Sequence, residues 1–96
     1  MLIYKKIRVG AKYIEAIKMQ LGKRNLVILK GSKGYIMCGY LNLRVAQKFK
    51  DVAIKITGVS TIGQARRSYV YSCTTAAKIL GVYKGQPIKE VIKIII

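Results

Sequence analysis

Cys38 is the residue of this chain best placed to do chemistry. It follows the strand-like residues 35–37 and precedes Gly39, where a strand gives way to a helix and backbone N–H groups can be left without partners. As a thiolate, Cys38 could act as a nucleophile or a redox centre. Lys33 and Arg44 are the cations that would have to assist it, because the chain has no histidine to act as a base.

The composition supplies little else for catalysis. The absence of histidine excludes Ser-His-Asp and Cys-His mechanisms and removes the commonest metal ligand. The three acids, Glu15, Asp51 and Glu90, are far apart in the sequence, and Cys38 and Cys73 fit neither a disulfide framework nor metal-ligand spacing. We therefore predict no metal and no cofactor. The sequence favours a non-enzymatic protein in which Cys38 packs in the core, with a thiol-dependent enzyme or redox protein as the alternative.

The charge of the chain indicates a polyanion as one possible partner. Nineteen Lys and Arg residues against three acids give a net charge of +16, which attracts nucleic acid or another polyanion. The bases are spread along the whole chain, so a solvated basic surface explains the charge equally well. The best candidates for a nucleic-acid contact are two arginines and two tyrosines, which could hold phosphate and stack on bases. These residues are Arg66, Arg67, Tyr69 and Tyr71.

Hydrophobic periodicity predicts an α+β fold with a mostly antiparallel N-terminal sheet of about four strands. The predicted strands lie within residues 3–9, 12–21, 26–29 and 35–38. A helix capped by Asn42, a fifth strand within 52–57 and further helices to residue 96 follow. We expect a single domain over residues 1–96, with a strand-rich part over 1–40 and a mixed α/β part over 41–96.

The first strands and the size of the chain predict self-association. Along the first strand, apolar and basic residues occur on both faces: Ile3, Lys5, Ile7 and Val9 alternate with Tyr4, Lys6 and Arg8. The strand therefore has no clean apolar face, which favours an edge or subunit contact. A chain of 96 residues has a modest core, so association would add stability. No apolar run approaches the ~18 residues of a membrane span, and the first residues lack the pattern of a signal peptide. We therefore expect a cytoplasmic protein without membrane contact.

Three blocks of sequence resemble the YunC-like family of uncharacterised bacterial and archaeal proteins (domain of unknown function 1805). The blocks are Lys33–Gly39 with Leu41 and Asn42, then Gly58, Val59 and Thr61, and finally Ala76, Ala77, Leu80–Val82 and Gly85. The resemblance implies an α+β domain whose N-terminal sheet mediates assembly of a tetramer, and it implies no assigned activity.

The chain departs from the family pattern after Thr61. Members of the family tend to carry acidic residues there, whereas this chain has Gly63, Gln64, Arg66 and Arg67. If those acids serve a shared function, the resemblance implies that this protein has lost or changed it.

Overall fold

The sheet is built from strands that lie side by side in chain order. The structure is a computed structural model that describes residues 1–96. The strands are β1 (Leu2–Val9), β2 (Lys12–Leu21), β3 (Arg24–Lys30), β4 (Tyr35–Met37), β5 (Ala53–Lys55) and β6 (Ser72–Cys73). They form one six-stranded sheet in the order β1-β2-β3-β4-β5-β6. Every neighbouring pair is antiparallel except β4 and β5, which are parallel.

Short helices connect the later strands. The helices are α1 (Leu43–Lys48), α2 (Ile62–Arg66), α3 (Thr75–Ile79) and α4 (Ile88–Ile95). Asn42 begins α1, because its side chain accepts hydrogen bonds from the backbone N–H groups of Arg44 at 3.0 Å and Val45 at 3.3 Å. Thr61 begins α2 by accepting the N–H of Gln64 at 3.0 Å. None of these helices is long and apolar enough to cross a membrane.

One face of the sheet, the core face, is covered by α2 and α4. Alternation along the strands places the most deeply buried side chains there, and α4 adds an apolar stripe at helical spacing. The largest members are Ile14, Val27, Leu29, Ile36, Ile54, Ile56, Ile88, Val91 and Ile95. Burial of each such side chain favours the fold by about 1.5–3 kcal/mol, so this face supplies most of the stability.

The opposite face is covered only in part. Helix α1 packs over β4 and β5, where Ala46 contacts Leu41 and Ala53 in a small second cluster. Over β1, β2 and β3 no element covers the sheet, and we call this surface the open face. Its apolar side chains are Leu2, Tyr4, Ile17, Met19, Leu26 and Ile28.

The α+β class predicted from the sequence is confirmed, with one strand more than the periodicity indicates. Strand β6 has two residues, and it exists because Cys73 pairs with Ile54, so a local pattern could not reveal it. A continuous apolar run such as Leu26–Leu29 is typical of a strand covered on both faces. Within the single chain, however, Leu26 and Ile28 are half-exposed on the open face. Proline is favoured in the first turn of a helix, whereas Pro87 precedes α4 as its N-cap residue.

The glycine-bearing loop between β3 and β4 is a hairpin connection that also forms hydrogen bonds with the C-terminal end of α4. The backbone N–H of Lys33 donates to the carbonyl of Ile95 at 2.8 Å, and Ser32 Oγ donates to the carbonyl of Ile96 at 2.6 Å. A Cβ atom on Gly34 would lie 2.5 Å from Val52, so only glycine fits this close approach. The loop therefore has a structural role as a hairpin connection.

Tyr35 makes the stability of the fold sensitive to alkaline pH. Its hydroxyl donates to Asp51 Oδ2 at 2.9 Å, and burial together with this hydrogen bond raises the pKa of Tyr35 from 10.0 to about 12. Because the folded-state pKa is raised, the neutral phenol stabilises the fold fully below pH 10, and this contribution is lost as the pH rises towards 12. Tyr35→Phe should therefore lower the free energy of unfolding at pH 7 by about 0.5–1.5 kcal/mol.

Urea unfolding from pH 7 to 11.5 would measure both effects. Between pH 10 and 11.5, the variant should lose less stability than the wild-type chain. Tyr83→Phe is the matched control, because the exposed Tyr83 hydroxyl has no hydrogen-bond partner in the chain. Equal pH dependence in the wild type and the Tyr35 variant would contradict the assignment.

Candidate functional site

The parallel pairing of β4 with β5 creates the main cavity of the molecule. In parallel pairs the carboxyl ends of the strands lie side by side, and the loops that leave them frame a crevice. Here these are the loop before α1 and the loop before α2, and the turn between β2 and β3 closes the third side. The cavity has a volume of about 510 Å³, and we call it the cleft. Its lining residues are Lys23, Arg24, Asn25, Cys38, Gly39, Tyr40, Thr57, Gly58, Val59 and Ser60.

The cleft carries positive charge and no negative charge. Lys23 and Arg24 are its only ionisable side chains apart from Cys38 and Tyr40, and both are exposed. The one salt bridge of the chain joins Lys30 to an acid elsewhere, so the charges of Lys23 and Arg24 are not neutralised by a carboxylate. A concave surface with charge of one sign concentrates counter-ions, and this one would concentrate anions.

The backbone of the cleft offers unused hydrogen-bond donors. Five lining residues in the loops that leave β4 and β5 have backbone N–H groups that donate to no acceptor within the chain. These residues are Gly39, Tyr40, Thr57, Gly58 and Val59. At the borders of the set, Leu41 N–H does donate to the Cys38 carbonyl at 3.0 Å and Ser60 N–H to Gln64 Oε1 at 2.8 Å. Clustered free amides form concavities that suit anions.

Cys38 belongs both to the core and to the lining of the cleft. Its residue is 4% exposed, and its N–H donates to the Val27 carbonyl at 3.2 Å. Its sulfur accepts the N–H of Val27 at 3.4 Å and donates weakly to the Asn25 carbonyl at 3.8 Å. The thiol therefore joins the end of β4 to the start of β3, which is a packing role.

The residues predicted to assist Cys38 do not all lie beside it. Gly39 does, in the lining of the cleft. Lys33 precedes β4 and therefore lies at the opposite end of that strand from Cys38. Arg44 lies in the first turn of α1, outside the lining. The cations that share the cleft with Cys38 come instead from the turn before β3, and only the pairing register of β3 with β4 brings them there.

Three of the four residues proposed for nucleic-acid contact lie together. Arg66, Arg67 and Tyr69 line a shallow cavity of about 160 Å³, which we call the arginine cavity, and Lys89 of α4 adds a third cation. Tyr71 stands apart, since its ring lies over Lys55 with 5.9 Å between the ring centre and Nζ. Lys89 was missed from the sequence because the contact depends on the bridge between Tyr69 and the residue before α4.

Cys73 has no comparable cavity. It is buried, and its sulfur lies 4.0 Å from the carbonyl oxygen of Val82. Burial raises the pKa of the Cys73 thiol, and the charge of Lys78 offsets only part of this effect. Nowhere in the chain do three or more cysteine or carboxylate side chains lie close enough together to hold a metal ion.

Comparisons with known proteins identify relatives without an assigned activity. The domain of unknown function DUF1805 matches residues 37–95, a segment that includes both loops of the cleft. The uncharacterised protein YunC of Bacillus subtilis (strain 168) is 33% identical over 88 residues, covering 88% of this chain and 87% of YunC. A crystal structure of a protein of unknown function, TA1206 from Thermoplasma acidophilum, superposes with a TM-score of 0.96 at 34% identity. The match covers 99% of this chain and 93% of that one.

The burial of the two thiols predicts slow labelling of the native protein. Because access limits the reaction, Cys38 in a Cys73→Ser variant should react with iodoacetamide at least about tenfold more slowly than a free thiol at pH 7.5. Cys73 in a Cys38→Ser variant should need a higher pH for labelling, because its raised pKa reduces the thiolate fraction. Denatured samples provide the control. Rapid labelling of native Cys38 would restore the thiol-dependent alternative.

Proposed function

Because this chain belongs to the DUF1805 family, we propose that it is a non-enzymatic, cytoplasmic homo-oligomer whose subunits associate through the open face. Its similarity to YunC confirms the family resemblance predicted from the sequence. The observation that carries the proposal is the pattern of apolar side chains on β1, β2 and β3.

The apolar side chains of the open face form two rows across the strands. The first row is Leu2, Met19 and Leu26, which are successive register partners. The second row is Tyr4, Ile17, Ile28 and Met37. Leu2 is 59% exposed and Tyr4 51% exposed, although both lie in a regular strand within an ordered row. Contiguous apolar patches of this kind mark protein interaction sites on soluble proteins.

A charged row borders the apolar rows. Lys6, Glu15 and Lys30 are register partners, and Glu15 Oε2 lies 3.5 Å from Lys30 Nζ. The Tyr4 hydroxyl donates to Glu15 Oε1 at 2.8 Å, and this hydrogen bond with the neighbouring lysines lowers the pKa of Glu15. An apolar centre with a polar rim is the usual anatomy of an association surface.

The occupant that we propose for the open face is a second copy of the chain. A two-fold contact brings identical surfaces together, and matched apolar rows are self-complementary under that symmetry. The face alone measures roughly ten residues of 3.3 Å by three strands of 4.8 Å, about 475 Å². This area is less than the ~800 Å² per partner of a stable interface. The free edge of β1 could supply a second contact by strand pairing, and two kinds of contact would give the tetramer that the family resemblance implies.

Light scattering tests the assembly directly. We expect a mass well above the 10.7 kDa of one chain at micromolar concentration. Ile28→Lys should shift the mass towards the monomer, because it places a charge at the centre of the apolar rows. Ile79→Lys is the matched control, since Ile79 is 80% exposed on α3 and outside the open face. A wild-type monomer, or equal effects of the two folded variants, would overturn the proposal.

A second candidate function is the binding of nucleic acid or another polyanion. The observation that favours it is the arginine cavity, which brings Arg66, Arg67 and Lys89 together with the exposed ring of Tyr69. Guanidinium groups and an aromatic ring in one depression can hold a phosphate and stack on a base. An oligomer would repeat this cavity and bind a long polyanion more tightly than one subunit does.

Fluorescence anisotropy with labelled RNA and DNA tests this function. Binding at 50 mM salt should weaken steeply at 200 mM, because Lys and Arg contacts release counter-ions. Arg66→Gln with Arg67→Gln should weaken binding at least about tenfold. Lys5→Gln with Lys12→Gln is the control that removes the same charge from the N-terminal strands. No binding at low salt, or equal losses in the two double variants, would contradict a role for the arginine cavity.

A further inference from the structure

We propose that the cleft binds the phosphate group of a small molecule, in a cradle of backbone N–H groups supported by Lys23 and Arg24. This inference is independent of the oligomer and of the arginine cavity. It concerns a ligand-binding site at the carboxyl ends of β4 and β5, where the two parallel strands release their loops.

The first argument is the supply of backbone donors. Gly39 and Tyr40 on one loop and Thr57, Gly58 and Val59 on the other have N–H groups with no acceptor in the chain. All five residues line the same cavity. A phosphate group presents several strong acceptor oxygens at once, so several free donors around one cavity match it better than they match a single water molecule.

The second argument is charge. Lys23 and Arg24 line the cleft, and its lining contains no carboxylate. An arginine can donate two parallel hydrogen bonds to a phosphate, and a lysine adds a mobile point charge. A neutral ligand would gain nothing from this excess of positive charge, whereas a phosphate dianion would be attracted from solution.

The third argument is that the cleft is held in shape without a ligand. Asn25 Nδ2 donates to the Ser60 carbonyl at 3.0 Å, which ties the turn carrying Lys23 and Arg24 to the loop carrying Gly58. This hydrogen bond joins two of the three sides of the cavity in the absence of a ligand. Fixed donors avoid the entropy of ordering a loop on binding, so affinity can arise from few contacts.

The size of the cleft indicates more than a bare phosphate ion. A volume of about 510 Å³ lies within the range of roughly 300–1,000 Å³ that is typical of small-molecule sites. Tyr40, which lines the cleft and is 47% exposed, offers a ring against which a sugar or base could lie. The ligand has two candidate sources, a phosphate ester and free phosphate ion. Both present the same dianionic phosphate group.

Amide spectra of the intact protein test the site. A TROSY titration of deuterated, ¹⁵N-labelled protein at constant ionic strength would use inorganic phosphate, ribose 5-phosphate and adenosine 5′-monophosphate, with adenosine as the control without phosphate. We expect saturable shifts of the Gly39 and Gly58 amides with the phosphate compounds only. Tighter binding of the esters, by about tenfold or more, assigns the site to a phosphate ester, and equal binding assigns it to free phosphate.

A pair of variants at Gly39 separates charge from shape. A Cβ atom on Gly39 would meet no other heavy atom within 4 Å, and its φ is not positive, so both Gly39→Asp and Gly39→Asn should fold. Gly39→Asp should weaken phosphate binding at least about tenfold through like-charge repulsion. Gly39→Asn should weaken it by no more than about threefold. Thermal melting of both variants checks that the fold is kept.

The cations are tested by two matched double variants. Lys23→Gln with Arg24→Gln should weaken phosphate binding at least about tenfold. Arg67→Gln with Lys89→Gln removes the same charge from the arginine cavity and should leave the affinity unchanged within about twofold. Equal losses in both variants would show attraction by the overall charge alone and would overturn the proposal. Absence of any saturable shift at Gly39 and Gly58 would also overturn it, if roughly 10 mM of each phosphate compound is present, enough to fill about nine-tenths of a site with a Kd of ~1 mM.

Discussion

The parallel pairing of β4 with β5 is the constraint on which the other surfaces depend. A parallel pair needs a crossover, and α1 supplies it on the face opposite α2 and α4. The crossover covers β4 and β5 but is too short to reach β1, β2 and β3, so the open face is a direct consequence. The same pairing places the carboxyl ends of β4 and β5 side by side, and the cleft forms there.

The open face is mainly apolar, whereas the cleft is positively charged. This separation matters for a chain of net charge +16. Subunits so charged repel one another, and salt screens the repulsion only beyond about 10 Å at 0.1 M ionic strength. The open face reduces this difficulty because Glu15, one of only three acids, lies at its border between Lys6 and Lys30. The uncompensated Lys23 and Arg24 lie instead in the cleft, so association and anion binding use different parts of the surface.

Local signals in the sequence were sufficient for most of the fold. Three kinds of feature each depend on residues a few positions apart, so local sequence is enough to predict them: the alternation along β2, the caps at Asn42 and Thr61, and the apolar stripe of α4. The position of Cys38 and Gly39 at the end of β4 was accessible for the same reason. The placement of Lys23 and Arg24 beside the end of β4 could not be predicted in this way. It depends on the pairing register of β3 with β4, which no local pattern encodes.

The structure adds specific hydrogen bonds to the packing role that the sequence favours for Cys38. Its thiol accepts the Val27 N–H and donates weakly to the Asn25 carbonyl, so it holds the first residues of β3 against the end of β4. Asn25 in turn ties the adjoining turn to Ser60. A larger residue at Cys38 would push these segments apart, and one without a polar atom would leave the Val27 contact unmade. In the phosphate site that we propose, Cys38 is therefore a positioning residue for Lys23 and Arg24, which explains a small polarisable side chain at this place without assigning it any reaction.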